Sequence, residues 1–133
     1  MVDERLAEMD FGQWEGLAWT AIDRSELDAW ANNFTRHRVG QTGETVQAFV
    51  HRVADAARQA MHPEHPDTLW VTHAGVIRAM QWLCHSPSPQ RIDNLSASDW
   101  PAWAPACGDW AVLDTTPFSH ATCPPEPDQE PAA

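Results

Sequence analysis

Two short runs supply the strand-forming material of this chain, and that shortage constrains every fold open to it. The first, "LWVT" at residues 69–72, ends at His73 and passes through Ala74 into an apolar helical pattern running from Gly75 to Cys84. The second is "WAVLDT" at 110–115. Helices and strands in this order predict an α/β layering. Two strands alone make a marginal sheet, so an α/β domain needs more than this chain displays.

Between and before these runs the patterning is helical or irregular. Val46, Phe49, Val50, Val53 and Ala57 fall at i, i+3, i+4, i+7 and i+11, one apolar stripe of a helix over 44–61. Thr42 is the expected N-cap, and Glu44 lies in the first turn, where a carboxylate complements the helix dipole. The stripe puts His51 and Arg52 on the exposed side. Pro63 and Pro66 cannot continue the helix. Upstream, Leu17, Ile22, Leu27, Trp30 and Phe34 form an imperfect pattern suited to two short helices, and the polar run at 35–43 reads as a loop. Residues 119–133 are acidic and Pro-rich, a composition expected to stay disordered, which leaves 1–118 as one folded domain.

Charge narrows the partners. Eight Lys and Arg against 19 Asp and Glu give a net charge of −11, the wrong sign for non-specific binding to nucleic acid or an anionic membrane. A small anionic ligand is still compatible with a local Arg/His pocket. No apolar run approaches the roughly 18 residues of a membrane span, and the start "MVDERLAEMD" has no basic-then-apolar leader, which predicts a cytoplasmic protein. Three cysteines without framework spacing point to reduced thiols. Of the eight tryptophans, Trp70 and Trp110 lie in the strand runs and are expected to pack in or over the core.

Two places could carry chemistry. A strand ending at His73 sets the imidazole beyond the strand's carboxyl end, where ligands of open α/β sheets sit. The first amides of the following helix favour an anion there, and Gly75 lets backbone approach it closely. The same features also fit a histidine that merely closes a strand. The second place is "AEMDFGQWEG" at 7–16, with Glu8, Asp10 and Glu15 among apolar and aromatic neighbours. A carboxyl group so flanked can serve as a general acid, and an irregular loop anchored by Phe11 and Trp14 with solvated acids fits equally. His62 and His65, with Cys84 and His85, lack zinc-site spacing, and neither a nucleotide-binding glycine loop nor a G-x-S-x-G elbow occurs.

Taken in order, "RLAEMDFGQWEGLAW" (5–19), "TGETVQAFVHRV" (42–53) and "VTHAGVIRA" (71–79) resemble segments of the histidine phosphatase superfamily, the phosphoglycerate mutase-like group. Together with "PAWAPACGDWAVL" (101–113), they are most similar to the bacterial alpha-ribazole phosphatases of cobalamin synthesis. The resemblance implies a three-layer α/β sandwich with a mostly parallel sheet. It implies hydrolysis of a small phosphorylated metabolite without metal or organic cofactor, and leaves the oligomeric state unassigned. Glu8 matches the family's proton donor and His73 its second, phosphoryl-holding histidine, with the amides of Ala74 and Gly75 as further donors to the substrate. Arg78 is expected to be structural.

The same comparison exposes a gap. The family's nucleophilic histidine stands in an Arg-His-Gly segment on the central strand, and no such tripeptide occurs in these 133 residues; "RHR" at 36–38 follows the acid segment. The expectation is a phosphatase lacking its N-terminal central strand and inactive as it stands, because covalent catalysis needs the nucleophile. The alternative is a non-catalytic phosphatase-like binding protein. An in-frame Arg-His-Gly run in the DNA upstream of Met1 is the expected finding, and an immediate upstream stop codon would favour the alternative.

Overall fold

The stripe beginning at Val46 does wind into a helix, and most of the molecule is arranged around it. The computed structural model describes residues 1–61, 67–85, 89–116 and 118. They include α1 (Arg24–Asn32), α2 (Val46–Ala60) and α3 (Ala74–His85), with 3₁₀ turns at Glu4–Leu6, Gly12–Trp14, Trp19–Ala21, Pro89–Asn94 and Ala97–Asp99. The cap of α2 is Thr45 rather than Thr42: its Oγ1 accepts from the Ala48 N–H at 3.1 Å. Glu44 therefore precedes the helix and is free for another role.

Helix α2 buries Val46, Phe49, Val50, Val53, Ala54, Ala56 and Ala57. It packs against α3, which buries Val76, Ala79, Met80, Leu83 and Cys84, and against the Glu4–Leu6 turn. Each fully buried Val, Leu or Phe contributes about 1.5–3 kcal/mol relative to exposure. Burial also pushes the Cys84 thiol up to about 11, while Cys107 is exposed; both are free.

Helix α1 is shallower. Asp23 caps it by accepting from the Ser25 hydroxyl and N–H, and these bonds hold its carboxyl below the usual range. None of its residues is fully buried, but Leu27 and Trp30 pack against the core. Trp30 stacks on Trp19 with centroids 6.3 Å apart and planes 8° off parallel, and Trp14 meets both edge-on. The Trp14 indole N–H donates to Glu26 Oε2 at 2.9 Å, which ties the acid-bearing loop to α1.

The expected α/β sandwich is not what the chain forms. Among the described residues there is no strand, so neither the parallel sheet nor its sandwich is present. Residues 69–72 keep the alternation of a strand: Trp70 packs against the core, while Leu69 and Val71 are 88% and 94% exposed. Among the described residues no neighbouring backbone forms a ladder with them. Trp110 and Val112 are likewise exposed, contrary to the expectation that Trp110 would cover the core. Alternating apolar residues make a strand only where a partner accepts the hydrogen bonds. Residues 62–66 and 119–133, with the His62/His65 pair and the expected tail, lie outside the described residues. No described helix is long and apolar enough to cross a membrane.

Truncating Phe49, which is completely buried, to Ala should cost about 3–5 kcal/mol in urea unfolding. Leu69→Ala should fall within about 0.5 kcal/mol of the parent. A loss of several kcal/mol at Leu69 would show that it is packed in a sheet after all.

Candidate functional site

Residues 5–12 run across α2 without a strand beside them, so their backbone polar groups need partners from elsewhere. Side chains provide most of them. Thr72 Oγ1 donates to the Leu6 carbonyl at 2.7 Å, which joins the end of the 69–72 run to this segment. The Arg52 guanidinium donates to the carbonyls of Arg5, Ala7 and Glu8 at 2.7, 2.9 and 3.0 Å. Glu44 accepts from the Asp10 N–H at 3.1 Å through Oε1 and donates its own N–H to the Asp10 carbonyl at 3.0 Å. Glu15 accepts from the Phe11 N–H at 2.9 Å, and Asp10 from the Gly12 N–H at 2.8 Å.

Behind this segment, Gly40 closes the loop that precedes α2. Its φ of 51° suits glycine, and a Cβ there would run into the Phe11 carbonyl and the amides of Gln13 and Trp14. The Gly40 carbonyl accepts from Gln13 N–H at 3.0 Å, so the two loops are keyed together.

The segment presents Glu8 to the start of α3. Glu8 Oε2 accepts from the Gly75 N–H at 3.2 Å, and Oε1 from its neighbour Met9 N–H at 3.0 Å. A Cβ on Gly75 would fall on the Glu8 carboxylate and close to Phe49 Cζ, 3.3 Å away. Gly75 is thus a point of close approach, and the group that approaches is the Glu8 side chain, where the sequence pointed to a ligand. His73 stands just before the helix; its carbonyl accepts from Ile77 N–H at 3.1 Å. Its imidazole is exposed, and among the described residues it has no hydrogen-bond partner. Ala74 is also exposed. The Glu8 carboxylate thus meets an amide in the first turn of a twelve-residue helix, and His73, with an exposed side chain, is the residue just before that helix.

The structure brings Glu8 and Gly75 into contact across 67 residues, with His73 and Ala74 at the same helix start. Asp10 and Glu15 are occupied with loop amides instead. Arg78 donates to the Ala102 carbonyl at 3.3 Å, a contact within the chain. Arg52, expected on an exposed face, is instead half-enclosed, with its side chain only 24% exposed. Its place on the rim of the apolar stripe, one turn after Phe49, was the available signal. Among the described residues no three His, Cys, Asp or Glu side chains form a metal site. A cavity of about 180 Å³ lies elsewhere, between Phe11, Trp14, Leu17 and Trp19, and includes neither Glu8 nor His73.

Gly75→Ala should cost about 1 kcal/mol in urea unfolding, because the Glu8 carboxylate must swing off its charge-assisted hydrogen bond. In a Glu8→Ala background the same change should turn neutral or stabilise by roughly 0.5–1 kcal/mol, as Ala replaces Gly in a helix. Strict additivity of the two substitutions would show that the contact contributes nothing.

The chain also has relatives. No solved structure matches it. It is 30% identical over 98 residues to "Putative phosphoserine phosphatase 2" of Hydrogenobacter thermophilus, a match covering 71% of this chain and 48% of that protein. The chain therefore spans about half the length of the curated relative it matches. A family model described as "Histidine phosphatase superfamily (branch 1)" matches residues 1–100, the stretch that holds Glu8, His73 and Gly75. On that match the chain belongs to the histidine phosphatase superfamily, branch 1.

Proposed function

We propose that these residues carry the acid and second-histidine part of a phosphoryl-transfer site acting on small phosphomonoesters. The observation behind this is the Glu8 Oε2 to Gly75 N–H contact at 3.2 Å, which brings a carboxyl group to the start of the helix that His73, with an exposed side chain, immediately precedes. In this reading His73 holds the phosphoryl group and offsets the charge that builds on its oxygens in the transition state. The Ala74 and Gly75 amides add donors aligned with the helix dipole. Glu8 protonates the leaving oxygen and later accepts a proton from the attacking water. Because Glu8 holds the Gly75 N–H in the free chain, that amide reaches phosphate only after the carboxyl turns toward the leaving group. No metal or organic cofactor enters, and residues 1–118 act as one unit.

Family catalysis also uses a nucleophilic histidine in an Arg-His-Gly setting, and the 133 residues contain none. The reading therefore has this polypeptide bind phosphate weakly, in about the millimolar range, without turnover by itself. Two substrates frame the specificity. Alpha-ribazole 5′-phosphate follows from resemblance to that branch of the superfamily, and phosphoserine from the name of the Hydrogenobacter relative.

Orthovanadate, a phosphate mimic, titrated into the purified chain should shift the His73 ring protons and the Gly75 amide in NMR spectra. The rings of His37, His51 and His85 should stay put. An unmoved His73 would sink the proposed site. Assays with p-nitrophenyl phosphate, alpha-ribazole 5′-phosphate and phosphoserine should show no turnover; turnover abolished by His73→Ala would overturn the proposed inactivity.

A further inference from the structure

The Arg52 guanidinium has five N–H donors, and each is engaged within the chain. Nε donates to Glu44 Oε2 at 3.1 Å and Nη2 to Glu44 Oε1 at 2.6 Å. The second Nη2 proton goes to the Glu8 carbonyl at 3.0 Å, and the two Nη1 protons go to Arg5 and Ala7 at 2.7 and 2.9 Å. Nothing is left over for a phosphate. An arginine near a phosphoryl site invites a ligand-binding role, and this geometry assigns a different one.

Three of those bonds end on carbonyls at or just before Glu8, and Glu44 takes hold of the chain again at Asp10. The Arg52–Glu44 pair thus grips the backbone on both sides of the Glu8 side chain. The guanidinium also lies over the Phe49 ring, 4.7 Å from its centroid. That ring lies close to Gly75, where a Cβ would come within 3.3 Å of Phe49 Cζ. One side chain on α2 therefore holds the backbone that carries the carboxylate and lies over a ring that borders Gly75.

We propose that Arg52, oriented by Glu44, is a positioning residue that places the Glu8 carboxyl at the start of α3. Its importance for catalysis rests on the reading of Glu8 as the acid of a phosphoryl site. Lysine would not replace it: three donors on a compact ammonium cannot span three carbonyls and a bidentate carboxylate at once. The charge is secondary, and the planar fork is what the segment requires.

The Gly75 amide reports directly on this placement. Its N–H meets the Glu8 carboxylate, so its NMR shift should step on passing from the parent to Glu8→Gln, which removes that carboxylate. That comparison separates Glu8 from the nearby charged groups Asp10, Glu44, Arg5 and Arg52. In the Arg52→Gln and Arg52→Lys backgrounds the step should shrink by about twofold or more, although Lys keeps the charge. Glu44→Gln should weaken it less and provides a milder variant if Arg52→Gln does not fold. Dispersion of the Trp14 indole resonance confirms a folded core in each. A full-sized Gly75 step in Arg52→Lys, or in Glu44→Gln and Arg52→Lys alike, overturns the positioning role whatever the vanadate response of His73. A diminished step with no vanadate response supports positioning and removes the phosphoryl reading instead.

Discussion

Backbone carbonyls that face a packed helix have to be satisfied, and from Arg5 to Glu8 no strand is there to do it. Side chains take that place: Arg52 meets three of the carbonyls and Thr72 the fourth. These carbonyls are part-buried or exposed, so each bond contributes about 0.5–1.5 kcal/mol, somewhat more where the charged guanidinium donates, and together the bonds favour docking of the segment on α2. Once it docks, Met9 and Trp14 enter the core, Gly40 can lock under Phe11, and Glu8 is carried to α3. Much of the order in the first half of the chain depends on that substitution of side-chain donors for a ladder.

The site inherits its character from the same arrangement. Glu8 is reached through irregular backbone held at several points, while His73 is delivered by the rigid start of α3. One is thus fixed by a network and the other by a helix, and Glu8 meets that helix at Gly75, two residues after His73. Charges around the contact are largely internal pairs: Arg52 with Glu44 at 2.6 Å, and Arg5 with Asp3 at 2.6 Å. His73 stands apart from these pairs, with an exposed side chain.

Much of the helical framework was legible in the sequence because it follows from local rules. The stripe from Val46 to Ala57 and the apolar run after Gly75 became α2 and α3, with ends shifted by a residue or two. The cap moved from Thr42 to Thr45 because both lie before the stripe and only geometry distinguishes them. The strands failed for a physical reason: alternation at Leu69–Val71 specifies which side chains face inward, whereas a strand also needs another backbone. Glu8 and the start of α3 were flagged from separate stretches, and the structure joins them. Arg52 was misread because amphipathic patterning treats charge as solvent-facing, and it is blind to carbonyls waiting on a neighbouring segment.

The Trp19–Trp30 stack has a consequence outside stability and function. Two near-parallel indoles at that separation share their electronic excitations, and Trp14 lies edge-on to both. Their coupled transitions add an aromatic band to the ultraviolet circular dichroism, superimposed on the backbone signal of helices this short. The same coupling makes the stack a built-in optical marker for the docking of α1 on the acid-bearing loop, separate from any measure of helix content.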